Sequence, residues 1–391
     1  MKEGWEFKKL KEIGRTQTGT TPSKSEKSFY GGDIPFVRPA ELDIDGNGAI
    51  KYDSELKLTQ EGALKSRIIS ANSILMCCIG SVGKTGYSIK EVTCNQQINT
   101  ITPYDSCNGK FVYYALLAPS FQNEVIKIAN SAKATLAIIS KGKWEEMSIP
   151  VAPLSEQQQI VDRLDSAFAK IDAVKANAEK QLNDAKTLFK KELSKAMMPK
   201  EGWKKKKLGE IGDVIGGTTP NTNNPDYWDG DICWISPAEL HGERYLYDSV
   251  KKITQEAVNA KSLKELPVGT VILSSRAPIG KVAINKVPMY CNQGFKCIVC
   301  GKEVYNEFLY WWLWGNTDYL NSLGTGATFK EISKSVVEKI QIPIPPLSEQ
   351  QAIVSHLDTL SEKLKTVEEK QKAVMAECDA MKQALLREVF E

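Results

Sequence analysis

Two textures of hydrophobic patterning alternate along the chain. Over residues 1–152 and 199–345, short β-branched and aliphatic runs are separated by Gly, Pro and Asn turns. Ile74 to Ile79, Ile98 to Ile101, Val271 to Leu273, Val282 to Ile284 and Phe295 to Val299 predict strands. Phe111 to Leu117 and Phe308 to Leu313 are apolar or aromatic at nearly every position and predict a buried helix in each region. Residues 153–198 and 346–391 instead carry apolar positions spaced by three and four. The first series is Leu164, Ala167, Ile171, Val174, Ala178, Gln181, Ala185 and Leu188. The second is Leu357, Leu360, Leu364, Val367, Gln371, Val374, Cys378, Met381 and Leu385. This is the seam of a coiled coil. Ser155 with Gln158, and Ser348 with Gln351, match a Ser-x-x-Gln capping box after a proline-rich stop. About 40 residues at 1.5 Å each give helices of about 60 Å, which must bury their seams against a partner.

The second half repeats the first. Gly4-Trp5, Gly19-Thr20-Thr21-Pro22, Gly32-Asp33-Ile34 and Pro39-Ala40-Glu41-Leu42 recur as Gly202-Trp203, Gly217-Thr218-Thr219-Pro220, Gly230-Asp231-Ile232 and Pro237-Ala238-Glu239-Leu240. Pro153-Leu154-Ser155-Glu156-Gln157-Gln158 recurs as Pro346-Leu347-Ser348-Glu349-Gln350-Gln351. A period near 195 residues is far too long for a solenoid, so each copy is a domain with a helical appendage. The expected class is α+β: globular domains at 1–152 and 199–345, and spacer helices at 153–198 and 346–391. The helices are expected to form an antiparallel coiled coil with pseudo-twofold symmetry. Leu164, Ile171, Val174, Leu188, Leu357, Leu364, Val367 and Met381 would pair them, and Gln181 and Gln371 are candidate register pins.

Charge refines this division. The net charge is +3, but residues 155–198 sum to +1 and 348–391 to −3, which leaves +5 elsewhere. That distribution suits globular parts that meet phosphates and helices that meet protein. The N-terminus has no signal-peptide profile and no run is long enough to span a bilayer, so a cytoplasmic protein is expected. In that compartment the nine cysteines are expected as free thiols, with Cys77, Cys78 and Cys233 in the core.

Enzymatic motifs fail on inspection. Gly80-Ser81-Val82-Gly83-Lys84-Thr85 has two residues between its glycines where a phosphate loop has four, and the repeat copy lacks the hydroxyl for magnesium. Cys297-x-x-Cys300 is half a zinc site without a second half, in a chain with two histidines. No methyltransferase motif or adenosylmethionine loop is present. A chain without an active site or a metal of its own is expected.

Taken together, the doubled Gly-Trp and Gly-Thr-Thr-Pro openings and the doubled Pro-Leu-Ser-Glu-Gln-Gln helix entry resemble the specificity subunit of type I restriction-modification systems. The resemblance covers essentially the whole chain. It implies two target recognition domains, each binding one half of a split DNA site, and helices that dock two methyltransferase subunits, joined by restriction (nuclease-translocase) subunits. S-adenosylmethionine, ATP and Mg2+ would belong to those partners. The copies differ at one loop, Gly324-Thr325-Gly326-Ala327-Thr328 against Asn130-Ser131-Ala132-Lys133-Ala134-Thr135. The rival readings are a coiled-coil scaffold that never touches DNA and a fused restriction-methylation enzyme.

Within a shared frame, the polar positions that differ are free to read different bases. Arg38 aligns with Ser236, Gln97 with Gly294, and Arg276 with Ile79. Arginine and glutamine suit paired contacts to guanine and adenine. Lys84, Lys133, Lys141, Lys281 and Lys330, with Thr20, Thr21, Thr218, Thr219 and Thr328, are candidates for phosphate contacts. Unlike domains predict an asymmetric two-part target, with half-sites about 34 Å apart.

Overall fold

The structure, a computed structural model, describes residues 3–43, 48–54, 56–131, 136–326 and 330–391. The chain divides into two compact units, Met1–Glu179 with Lys372–Glu391, and Lys180–Gln371. Each contains one globular domain and a stretch of both long helices.

In the first unit an antiparallel sheet runs in the order Gly14–Thr18, Ile98–Pro103, Ser73–Cys77, Thr85–Ser88. Successive side chains of a strand point to opposite faces. Ile74 and Met76 accordingly enter one core with the helix Gly109–Leu117, while Leu75 and Cys77 enter another with Val37, Ile69 and Cys94. Because both faces are covered, the strand Ser73–Cys77 is buried throughout, which is why it reads as an unbroken apolar run. A smaller sheet of Lys57–Leu58, Tyr30–Val37 and Thr93–Cys94 lies beyond the second core, and Glu6–Lys9 pairs with Ser148–Val151. The second unit repeats this plan. Val271 and Leu273 enter one core, Ile272 and Cys297 the other, and a short parallel strand Tyr245–Leu246 is added beside Val282–Asn285. Cys77 and Cys78 are buried, but Cys233 is half-buried, its thiol 3.2 Å from Asp248 Oδ1.

The long helices span Leu154–Ala196 and Leu347–Phe390. They start one residue before the expected serine caps, with the carbonyl of Pro153 accepting from the amides of Glu156 and Gln157. The repeated motif instead joins helix to domain. Glu156 accepts from the Trp5 indole at 3.1 Å, and Glu349 from the Trp203 indole at 3.0 Å. Gln157, fully buried, accepts from the Asn108 amide and donates to the Ala152 carbonyl. Gln350 does the same with Tyr305, Glu303 and Pro345. A buried amide that satisfies otherwise orphaned backbone groups is costly to replace.

Each domain also receives the far end of the other helix. Phe390 packs edge-on or tilted against Trp5 and Phe111 in the first unit, with centroids 6.3 and 5.3 Å apart, and Phe189 meets Trp311 in the second at 5.7 Å. Within the first unit Arg163 pairs with Glu388 and Lys175 with Asp379, so the helices run antiparallel there; Gln181 with Gln371 and Lys186 with Glu368 give the same sense in the second.

The seam differs from the expected one at three positions. Leu164, Ile171 and Leu357 are buried, and Leu364 packs partly buried on the second core, but Val174, Leu188 and Met381 are 52, 60 and 50% exposed. The alternate seam positions lie one residue later: Phe168, Lys175, Leu182 and Phe189 on the first helix, and Lys382 on the second. One residue is a rotation of about 100° on a 3.6-residue helix, enough to turn a side chain from partner to solvent. Lys382 lies with its ammonium 5.2 Å over the Phe168 ring and pairs with Asp172. A lysine whose stem packs while its charge is satisfied is invisible to an apolar count.

Candidate nucleic-acid interface

One end of each domain gathers the loops that carry the candidate residues. In the first unit Thr20 N–H bonds the Cys94 carbonyl, the Thr21 hydroxyl lies 2.5 Å from Gln96 Oε1, and Asn95 N–H bonds the Val37 carbonyl. Lys84 Nζ donates to the Pro39 carbonyl at 3.1 Å, and Gln97 Nε2 to that of Ile79 at 3.4 Å. Four segments of chain, around residues 20, 38, 80 and 96, are thereby tied into one surface. The glycine of Gly-Thr-Thr-Pro has a packing reason: a Cβ on Gly19 would overlap the carbonyl oxygens of Cys94 and Asn95, and one on Gly217 those of Cys291 and Asn292.

The second unit reproduces the ties of the Gly-Thr-Thr-Pro and Asn turns, while its loop lysine moves to another carbonyl of the Pro-Ala-Glu-Leu turn. Thr218 N–H bonds the Cys291 carbonyl, the Thr219 hydroxyl bonds Gln293, and Asn292 N–H bonds the Ile235 carbonyl. Lys281 Nζ donates to the Leu240 carbonyl at 2.6 Å. Asn95 and Asn292 cap their own turns, accepting from the amides of Gln97 and Gly294, so these shared residues belong to the frame.

The loop end lies away from the helix junction. Strand Ile98–Pro103 leaves the Asn95 turn and, six residues later, leads through Tyr104 to Asn108, which bonds Gln157 of the long helix. Six residues of strand extend about 20 Å.

Among the described residues, the remaining candidates are held by carboxylates or lie exposed. Arg38 is clamped by Glu41 through Nε at 3.1 Å and through Nη2, and Lys141 pairs with Glu145, which also accepts from Thr16. Arg276 donates through Nε to Glu331 Oε2 at 3.0 Å, and Lys330 beside it is exposed. Lys133 and Thr328 lie outside the described residues.

Several partners went unnoticed in the sequence. Glu41 and Glu239 sit in the repeated Pro-Ala-Glu-Leu turn and accept from the amides of Arg38 and Ser236. Asp165 accepts from Tyr114 and Lys110, and its counterpart Asp358 from Trp311 at 2.8 Å and Arg244. These aspartates anchor domain to helix, and their matched offsets from the helix entries were the available signal.

Among the described residues no helix is long and apolar enough to cross a membrane. Residues 2–184 and 200–375 each match the type I restriction modification DNA specificity domain. The chain is 42% identical over 182 residues to the type I restriction enzyme MjaIX specificity subunit of Methanocaldococcus jannaschii, a match covering 45% of this chain and 42% of that one. It is 27% identical over 384 residues to the putative MjaX specificity subunit of the same organism, covering 92 and 87%. The Escherichia coli EcoR124I/EcoR124II specificity subunit is 33% identical over 219 residues, covering 54% of this chain and 52% of that one. Thus the chain spans about half the length, or less, of two of these relatives and most of the third. Among solved structures, a chain from a study of complex assembly and conformational transition of the type I R-M system superposes with a TM-score of 0.81 at 18% identity, over 99% of this chain and 97% of that one. The HsdS subunit of Thermoanaerobacter tengcongensis gives 0.55 at 18% identity, over 100 and 97%. With two domain matches covering most of its length, and the fold shared throughout, the chain belongs to the type I restriction-modification DNA specificity family.

Proposed function

We propose that this chain reads a two-part, asymmetric DNA target, one part per domain, and presents it to methyltransferase and restriction subunits docked on its long helices. The observation that carries this reading is the pair of matched loop surfaces. Matched ties at Thr20 and Thr218, Thr21 and Thr219, and Asn95 and Asn292 build both frames, yet Arg38 stands opposite Ser236, Gln97 opposite Gly294 and Ile79 opposite Arg276. A common frame with different polar tips suits two readers of different sequences.

Partner docking has its own support. Val174, Leu188 and Met381 are apolar, half or more exposed, and on helices whose seams are filled by other residues. An intact seam leaves such side chains available to a partner. The chain itself supplies no catalysis in this reading; adenosylmethionine, ATP and Mg2+ act on the partner subunits in the cytoplasm.

Binding to duplex DNA across a salt series, with the methyltransferase subunits present, tests the proposal. Phosphate contacts make the logarithm of affinity fall linearly with the logarithm of salt. Absence of salt-dependent binding favours a protein-only scaffold, and methyl transfer by the pure chain favours a fused enzyme.

A further inference from the structure

We propose that Arg276 reads a guanine, through paired hydrogen bonds to O6 and N7, in the half-site bound by the second unit's domain. This rests on the DNA-reading function proposed above and assigns one of its contacts.

The two copies differ at one matched pair of positions. Ile79 and Ile138 face each other across an isolated antiparallel bridge in the first unit, and Arg276 faces Glu331 across the same bridge in the second. The flanking bonds match: Ile139 N–H to the Cys78 carbonyl and Ile332 N–H to the Ser275 carbonyl, both 2.9 Å. A third position changes with them, Asn99 in the first copy and Lys296 in the second. The frame therefore closes without charge in the first unit, so closing it does not require an ion pair in the second. Nor does stability explain the pair, since Arg276 and Glu331 are 45 and 37% exposed, and pairs so exposed contribute little.

The geometry fits a base reader. Glu331 engages Arg276 through Nε alone, and among the described residues neither terminal nitrogen is bonded to protein. Those two nitrogens form the edge of the guanidinium fork that matches guanine O6 and N7. Lys296, 9% exposed, bonds the Ser275 hydroxyl at 3.1 Å and the Gln293 carbonyl at 3.2 Å, and its ammonium stands 3.4 Å from Glu331 Oε1. It offsets the carboxylate's charge, so the orienting group does not repel the acceptors of the groove. Arg38, another loop arginine, spends both Nε and Nη2 on Glu41.

The test is selection from a randomised duplex library by the full chain with its methyltransferase subunits, comparing wild type, Arg276→Ala and Arg276→Lys. Wild type is expected to select a split motif. Arg276→Ala should lose preference at one G·C pair of one half-site by roughly 5- to 150-fold, Arg276→Lys should lose less at the same pair, and both should keep the other half unchanged. Replacing that guanine with 7-deazaguanine, which lacks N7, should weaken wild type and leave Arg276→Ala unaffected. Arg276→Lys retains the charge, and an unchanged melting temperature separates lost reading from lost folding. Unaltered preference, loss at an A·T pair, or loss in both halves would overturn the guanine assignment while leaving DNA reading intact. Failure of wild type to select any motif would instead remove the function on which the assignment rests.

Discussion

Gln371 Nε2 donates to Gln181 Oε1 at 2.9 Å, linking the two long helices within the second unit through a pair of amides. Gln371 is 9% exposed, so its amide is committed to this contact. One polar residue in an apolar seam fixes register at some cost in stability, because any slip strands it among hydrocarbon. Gln371→Leu is therefore expected to raise stability by about 1 kcal/mol while loosening register. Urea unfolding with crosslinking between the helices checks both; a less stable variant in a single register would contradict the pin.

Gln157 and Gln350 tie the helix starts to their domains, and their loss should be expensive. Gln157→Ala leaves the Asn108 amide and Ala152 carbonyl unsatisfied in a buried site, and Gln350→Ala does the same to Tyr305, Glu303 and Pro345. Each is expected to cost about 2–3 kcal/mol, with faster amide exchange at Asn108 or Tyr305. A change below about 0.5 kcal/mol would show that the motif's glutamine is not structural.

The helix surface yields a third expectation. Val174→Glu and Leu188→Glu should leave stability within about 0.5 kcal/mol, since both sites are exposed, and weaken co-purification with the methyltransferase subunit. Ile171→Pro, in the seam, should cost about 3 kcal/mol or more and lose assembly by breaking the helix. Equal assembly by wild type and the Glu variants would move the docking surface elsewhere.

How far the sequence disclosed this structure depended on whether neighbours or distant segments set each feature. Strands such as Ser73–Cys77 and Phe295–Cys300 were legible because burial on both faces makes them mostly apolar, with Lys296 the exception in the second. The long helices were legible from their period, but not their rotation. Val174 and Leu188 look like seam residues until Lys175 and Phe189, one position on, are seen to occupy it. At the loop end, candidate lysines were visible as charges while their partners were not. Lys84 and Lys281 are held by the carbonyls of Pro39 and Leu240, about 40 residues away, and no local pattern encodes such a tie.

Those ties separate the lysines by role. Lys330 is exposed beside the second unit's loops, so Lys330→Ala should lower the salt slope of DNA binding by about one without changing sequence preference. Lys84→Met removes a bond to the Pro39 carbonyl and should disturb the first half-site more than the slope. Salt titrations of both variants check the distinction, which fails if their slopes fall alike.

In the proposed function, two dissimilar domains each read their own part of one target. Methylation-sensitive sequencing of host DNA, with the native gene and with residues 1–150 exchanged for another recognition domain, tests it most directly. A split motif in which one part changes and the other is preserved is the predicted result. Both parts changing together, or methylation that never depended on the gene, would contradict it.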